Sequence, residues 1–233
     1  MYTELQRTAA DCAVCYVESG MVVGLGTGST AAFAVRRIGQ LLRSGRLRGI
    51  LGIPTSREVA TLARREDIPL TTLEEHGEID VTIDGADEVD PQLRLIKGRG
   101  GALLYEKIVA RASRLEIIVV DESKLVPRLG TRAPLPVEVV PFGWPVTARA
   151  LAELGARPVR RMQDGVPVET DEGNLILDCE FGSIDDPWAL DRAIHAIPGV
   201  VEHGLFLGLA SLVVVAQRDG ISLRRPGQAA LQQ

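Results

Sequence analysis

The sequence predicts an α/β fold, a parallel sheet covered by helices, followed by a second, smaller α+β domain. Three observations carry this reading. Short, continuous apolar runs alternate with helical patterns from Thr3 to Val120. Loops rich in Gly, Thr, Ser or Asp follow several of those runs. Around Thr131-Arg132-Ala133-Pro134-Leu135-Pro136 the prolines multiply and the segments change character. Strands that read as unbroken apolar runs are buried on both faces, which is the state of parallel strands flanked by right-handed crossover helices.

Taken in order, Leu5, Ala9, Cys12, Ala13 and Tyr16 fall at helical spacing between Thr3 and Glu18, and Ser19-Gly20 ends that helix. Met21 to Leu25 is a strand feeding a small-residue loop, and Thr30 to Leu42 a helix burying Phe33, Ile38, Leu41 and Leu42. The pattern repeats as a strand Ile50 to Ile53 and a helix Arg57 to Arg65. It recurs as a strand Val81 to Ile83, an acidic loop and a helix Ala102 to Ala112, and a strand Glu116 to Val120 closes the series. Beyond the prolines, strands are expected at Val137 to Val140, Pro158 to Met162, Val168, Asn174 to Cys179 and Val200 to Glu202. Helices are expected at Val146 to Leu154 and Pro187 to Ala196. That order suits a split βαβ unit. The apolar run Leu205 to Ala216 is expected to return to the first domain, and the polar Arg224 to Gln233 to fray. The domains so drawn are 1–130 with 207–233, and 131–206.

Composition excludes several classes of function. With 45% hydrophobic and 24% charged residues, and no stretch near the roughly 18 apolar residues of a membrane span, the 233-residue chain reads as soluble. Its first residues lack the apolar core of a secretory signal, so a cytoplasmic location is expected. A net charge of −5 provides no broad basic field for nucleic acid, so an anionic substrate has to be held by local donors. Cys12 and Cys15 form a C-x-x-C inside a helix, whereas a redox pair should follow a strand, and Cys179 alone supplies no second pair for zinc. All three read as reduced packing residues. His76, His195 and His203 are too scattered to suggest a metal cluster.

Ligands of parallel α/β sheets bind outside the carboxyl ends of the strands, and four loops there carry chemistry. In Gly24-Leu25-Gly26-Thr27-Gly28-Ser29-Thr30, backbone amides, the hydroxyls of Thr27, Ser29 and Thr30, and the next helix N-terminus together suit a phosphate. A plain glycine turn with a helix cap is the other reading. Asp84-Gly85-Ala86-Asp87-Glu88-Val89-Asp90 crowds four acids into seven residues. It is either a solvated turn or a set of carboxylates for sugar hydroxyls and proton transfer, and it fails the spacing of a calcium loop. Lys97-Gly98-Arg99-Gly100-Gly101 is either a basic turn or an oxyanion site that enters the helix containing Glu106. Asp121-Glu122-Ser123-Lys124 is a helix cap or a further cation. Together these parts suit proton abstraction beside a carbonyl, with no hydride carrier or metal required.

Gly-Thr-Gly-Ser-Thr-Ala at 26 to 31, Asp-Gly-Ala-Asp-Glu at 84 to 88 and Lys-Gly-Arg-Gly-Gly-Ala-Leu at 97 to 103 lie in an order that resembles type A ribose-5-phosphate isomerases. So do Glu106-Lys107, Ser123-Lys124, Leu-Pro-Val-Glu-Val at 135 to 139 and Ile-Pro-Gly-Val-Val-Glu-His-Gly-Leu-Phe at 197 to 206. The resemblance covers nearly the whole chain. It implies a Rossmann-like domain with a small ferredoxin-like α+β lid, no cofactor, and a homodimer or homotetramer. It implies Glu106 as proton acceptor of a 1,2-enediolate mechanism and Asp84 as an aid to ring opening, with Lys97 near the enediolate oxygens. Substrate would meet Thr27, Gly28, Ser29, Thr30, Asp84, Gly85, Ala86, Asp87, Lys97, Gly98, Arg99, Gly100 and Lys124. Two departures stand out: Arg99 replaces a glycine of many relatives, and Gln6-Arg7 falls where some relatives carry lysines. A sugar-phosphate sensor lacking the base, or an acyl-CoA transferase with a glutamate nucleophile, are the competing readings.

Overall fold

The structure, a computed structural model, describes residues 2–227 and divides into two compact units. The second comprises Asp87–Leu104 and Leu125–Gly208; the first comprises Tyr105–Lys124 with the chain before Asp87 and after Gly208. In chain order the first part runs α1 (Tyr2–Val14), β1 (Val22–Leu25), α2 (Ala31–Arg43), β2 (Leu51–Pro54), α3 (Arg57–Arg65) and β3 (Val81–Asp84). Two short strands, β4 (Glu88–Val89) and β5 (Leu95–Ile96), precede α4 (Leu103–Ala112) and β6 (Glu116–Asp121). Then come β7 (Leu135–Val139), α5 (Trp144–Glu153), β8 (Arg157–Arg160), β9 (Met162–Gln163), β10 (Val166–Pro167) and β11 (Leu175–Glu180). The chain ends with α6 (Pro187–His195), β12 (Val200–His203), β13 (Leu205–Phe206), β14 (Leu212–Gln217) and β15 (Gly220–Arg224).

The first unit is built on a six-stranded sheet of order β15-β14-β6-β3-β1-β2, parallel except for the β14–β15 hairpin. Successive strand residues face opposite sides. One side presents Val23, Leu25, Val81, Ile83, Ile117, Val119, Leu212 and Val214 to the apolar stripes of α1, α2 and α3. On the other side Ile53 and Ile79 pack with Val109 of α4. Gly24 lies on this second face because a Cβ there would meet Thr82 Oγ1 at 1.8 Å and Val109 at 2.8 Å. From β1 the chain moves outward to β2, then returns to place β3 on the other flank of β1. The carboxyl ends of β1 and β3 therefore border the point where strand order reverses, where such sheets open a binding crevice.

The second unit runs β-α-β-β-α-β through β7, α5, β8, β11, α6 and β12, with antiparallel pairing in the order β12-β7-β11-β8. Val137, Val139, Leu175, Leu177 and Cys179 meet Leu151 of α5 and Ile194 of α6 in its core. A three-stranded sheet, β13-β5-β4, and the β9–β10 ribbon complete it. Asp87–Leu104 lies outside the 131–206 span drawn from the prolines. It joins this unit because β5 pairs with β13 and Val89 bridges Leu125. Likewise the apolar run from Leu205 divides, β13 staying in the second unit and β14 entering the first sheet.

Other boundaries differ for local reasons. The first helix stops at Val14, four residues early, because Cys15, Tyr16 and Val17 donate three residues back instead of four. The polar stretch from Arg224 was expected to fray; Arg224 itself closes β15, and Gln228 to Gln233 lie outside the described residues. All three cysteines are free. Burial pushes the Cys179 thiol up to about 12 and raises that of Cys12, so neither has the low-pKa thiolate of a redox residue.

One core position of the second unit is a carboxylate. Glu138 of β7 is 1% exposed. Its Oε1 accepts from Thr170 Oγ1 at 2.8 Å and Asn174 Nδ2 at 2.9 Å, while Oε2 is buried with no hydrogen-bond partner. Burial holds its carboxyl above the ordinary 4.5, and the charges of Glu172 and Glu202 push the same way against the two hydrogen bonds. The folded state thus binds this proton more tightly than the unfolded chain. Stability contributed in acid is lost as pH climbs from the ordinary value through the folded one. Urea titrations at successive pH values should show the wild type losing stability relative to Glu138→Gln from about pH 4.5 upward; parallel curves would refute the assignment.

Candidate functional site

Within the first unit, the loop after β1 and the end of β3 are packed backbone to backbone. Gly26 N–H donates to the Ile83 carbonyl at 3.0 Å. A Cβ on Gly26 would lie 2.4 Å from Asp84 Oδ1 and 2.5 Å from Asp84 Cα. Only glycine permits that approach, and it places the Thr27–Thr30 loop beside the Asp84 carboxylate. Asp84 is fully buried, and its Oδ1 accepts from the Gly85 N–H at 2.7 Å. Gly85 and Ala86 are half-buried just beyond it.

The four loop residues divide their work. The Thr27 hydroxyl turns inward, 2.7 Å from Thr55 Oγ1 and donating to Ser56 Oγ at 2.9 Å. Ser56 in turn caps α3 through the Val59 N–H, and Thr55 donates to the Leu25 carbonyl. Thr27 therefore braces the loop against the end of β2, where sequence reasoning had counted its hydroxyl as an anion donor. Thr55 and Ser56 are the residues that reasoning passed over, and their signal was their place at a strand's carboxyl end. Gly28 has φ +107°, a turn that L side chains rarely adopt. Ser29 Oγ accepts from Gln6 Nε2 at 3.4 Å. Thr30 makes no side-chain cap hydrogen bond; at the start of α2 the Ala32 N–H donates to the Gly28 carbonyl at 3.0 Å and the Phe33 N–H to the Thr30 carbonyl at 3.1 Å. A glycine turn running into a helix N-terminus is the kind of arrangement on which anion sites are built.

Glu106 sits in the first turn of α4 and is 4% exposed. It is three residues before Val109, which packs on the sheet, so helical spacing places the carboxylate on the sheet-facing stripe. Its position in the first turn also suits the positive end of the helix dipole. Lys124 closes the short 3-10 turn Glu122–Lys124 after β6, half-buried. Asp121 accepts from the Ser123 N–H at 2.9 Å and from its hydroxyl, which fixes that turn.

The acidic loop is not a single cluster. Glu88, fully buried in the second unit, accepts from the amides of Gly130, Arg132 and Ala133 at 2.6, 2.6 and 2.8 Å. Asp90, also fully buried, pairs with Arg94 Nε and accepts from the Gln92 and Arg94 amides. Both are structural. Asp87 remains, its Oδ2 accepting from the Arg99 N–H at 3.0 Å. The Lys97 loop does not follow a parallel strand, as the sequence had suggested, but the two-residue β5 of the second unit. Lys97 is 2% exposed, its amide bonded to the Gly204 carbonyl and its Nζ 5.4 Å over the Phe206 ring. Gly98 is buried with φ +105°, and Arg99 and Gly100 are exposed.

His195 and His203, which read as too scattered for a cluster in the sequence, are brought together with Asp191 in the second unit by the turn between α6 and β12. His203 Nε2 lies 3.1 Å from His195 Nδ1 and 3.3 Å from Asp191 Oδ1. The Leu205 N–H donates to His203 Nδ1, which puts the ring proton on Nε2 and makes it a donor to Asp191. That tautomer suits a hydrogen-bonded cluster rather than a metal ligand.

A family model described as ribose 5-phosphate isomerase A (phosphoriboisomerase A) matches residues 51–220. The protein named ribose-5-phosphate isomerase A from Roseiflexus castenholzii is 59% identical over 217 residues, covering 93% of each chain. A solved D-ribose-5-phosphate isomerase in complex with phospho-erythronic acid is similar with a TM-score of 0.94 at 42% identity, over 97% of this chain and 99% of that one. The ribose 5-phosphate isomerase A structure from Methanocaldococcus jannaschii gives 0.92 at 44% identity, over 97% of this chain and 100% of its own.

The close approach at Gly26 yields a test. Gly26→Ala should lower unfolding stability by about 1–3 kcal/mol through the clash with Asp84. Gly28→Ala, with open space around its Cβ, should cost only the backbone strain of about 1–2 kcal/mol. Urea midpoints measure both, and a Gly26→Ala midpoint equal to wild type would show that the approach is not tight.

Proposed function

The chain belongs to the ribose 5-phosphate isomerase A family, and on that premise we propose that it interconverts D-ribose 5-phosphate and D-ribulose 5-phosphate through a 1,2-enediolate. The first-turn, nearly dry position of Glu106 is the observation that carries the assignment of the base. Its carboxylate takes the proton from C2 of the opened aldose, and the electron pair passes into a C1–C2 double bond as negative charge develops on the oxygen. The same proton returns to C1 while the O2 hydroxyl proton passes to O1, leaving C2=O2 and a C1 hydroxymethyl group, the ketose. Aldehyde is reduced and alcohol oxidised within one molecule, so the chemistry balances without a cofactor.

Asp84 assists ring opening by moving a proton between the ring oxygen and the anomeric hydroxyl, and Asp87 accepts from sugar hydroxyls. Lys97, with the Gly100 amide of its loop, supplies the positive potential that the enediolate oxygens require, and Lys124 adds a second cation. The phosphate belongs at the Gly28–Thr30 turn, where amides and the α2 N-terminus offer donors even in a chain with net charge −5. Arg99, on the exposed side of its loop, adds long-range attraction for that anion. We place the enzyme in the cytoplasm as a homodimer or homotetramer of the non-oxidative pentose phosphate route. Among the described residues no helix is long and apolar enough to cross a membrane. The second unit leaves Phe142 93%, Val146 60% and Val166 63% exposed, apolar area suited to a subunit interface.

Turnover is checked by following ketulose formation from ribose 5-phosphate. Glu106→Gln should lower kcat by about 100-fold or more with KM nearly unchanged; a KM rise as large as the kcat fall would contradict a base. EDTA should leave the rate untouched. Phospho-erythronic acid carries a planar carboxylate, which mimics the planar, anionic enediolate, on a chain ending in a phosphate, and should compete with substrate. Sedimentation equilibrium should give a mass of two or four chains, and a monomer would remove the subunit-interface role of the second unit.

A further inference from the structure

The loop that begins at Lys97 is shaped by a side chain outside it. Arg161 lies between β8 and β9, and its own backbone is fixed on both sides. Its N–H donates to the Ile176 carbonyl at 2.8 Å and its carbonyl accepts from the Val168 N–H at 3.0 Å. The guanidinium forks onto Asp178 of β11, Nε to Oδ2 and Nη2 to Oδ1. The two side chains are only 14% and 24% exposed. The remaining nitrogen, Nη1, donates to the Gly98 and Arg99 carbonyls, 2.9 Å to each.

A trans peptide is planar, with its C=O and N–H pointing in opposite directions. Two consecutive carbonyls drawn onto one nitrogen therefore turn the next two amides away from it. The first, Arg99 N–H, reaches Asp87 Oδ2 at 3.0 Å. The second belongs to exposed Gly100. Gly98 makes the arrangement possible: its φ is +105°, and a Cβ would lie 2.8 Å from Leu103 Cδ2 and 3.3 Å from Pro136 Cγ. The Gly101 N–H closes the turn on the Gly98 carbonyl at 3.0 Å.

We propose that Arg161 is a positioning residue for the isomerisation. Its fork on Asp178 clamps the Gly98 and Arg99 carbonyls and thereby fixes both the Asp87 carboxylate and the outward Gly100 amide. It acts without touching substrate. This rests on the reading above, in which that loop stabilises the enediolate. The role needs a planar fork, since a guanidinium can bind both carboxylate oxygens and still direct a third nitrogen at two carbonyls. A lysine ammonium is a point charge and cannot.

The experiment compares the full-length wild type with Arg161→Lys and Asp178→Asn, measuring kcat, KM, circular dichroism, the melting point and the inhibition constant of phospho-erythronic acid. In folded Arg161→Lys, kcat should fall by about 10–100-fold while KM moves by less than about threefold. The inhibition constant should rise roughly in step with the fall in kcat if, as the reading above requires, the compound's carboxylate takes the place of the enediolate oxygens. Asp178→Asn should show the same pattern at about tenfold, and it decides the matter if the lysine variant does not fold. A loss of kcat with unchanged inhibition, or variants as active as wild type, overturns the clamp while the isomerase reading stands. A wild type that does not isomerise ribose 5-phosphate at all overturns both.

Discussion

The first unit depends on the contact between Gly26 and Asp84, where β1 and β3 end side by side at the reversal of strand order. Parallel neighbours sit roughly 5 Å apart, so two loops leaving adjacent carboxyl ends compete for the same space. Removing the Cβ from one of them resolves the competition. The glycine turn can then begin at once after β1 while a fully buried carboxylate occupies the end of β3. The remaining features of the turn follow: Gly26 N–H completes the ladder onto Ile83, Thr27 is braced by Thr55 and Ser56, and Gly28 reverses the chain into α2.

Burying carboxylates is costly unless hydrogen bonds replace water, and the chain meets that constraint in different ways at different acids. Glu88 draws on three amides of the 130–133 turn, and Asp90 on two amides and an arginine. Both are thereby committed to structure. Asp87 is held by a single amide, and that amide is itself aimed by Arg161 through the Gly98 carbonyl of the same peptide. A run of acids that looks uniform in sequence therefore separates into anchors and a carboxylate whose orientation is set from a distance.

Much of this was legible in the sequence where period and position decide the outcome. The alternation of apolar runs with 3.6-period segments located β1, α2, β2, α3 and β6 closely, because each is fixed by burial against its immediate neighbours. Glu106 could be placed inside a helix, although its burial depends on α4 presenting Val109 to the sheet. What stayed hidden was non-local. Leu95–Ile96 is too short to declare itself and exists as a strand because Phe206 and Leu205 lie opposite on one side and Glu88 and Val89 on the other. Thr27 looked like a ligand donor until Thr55, brought alongside by the β1–β2 register, took its hydroxyl.

Arg161 is the extreme of that hidden class. In sequence it follows Arg160, and nothing in their spacing separates them. Arg160 lies with its guanidinium 4.8 Å over the Trp144 ring, while Arg161 reaches two peptide carbonyls more than sixty positions earlier. The difference comes from the sheet. Alternate residues leave a strand on opposite faces, so Arg160 meets α5, whereas Arg161 is aimed at Asp178 and the Lys97 loop. Chemistry proposed for a glycine-rich loop is thus governed by a fork set on another part of the same unit, because the glycines offer little besides backbone groups by which the turn can be held.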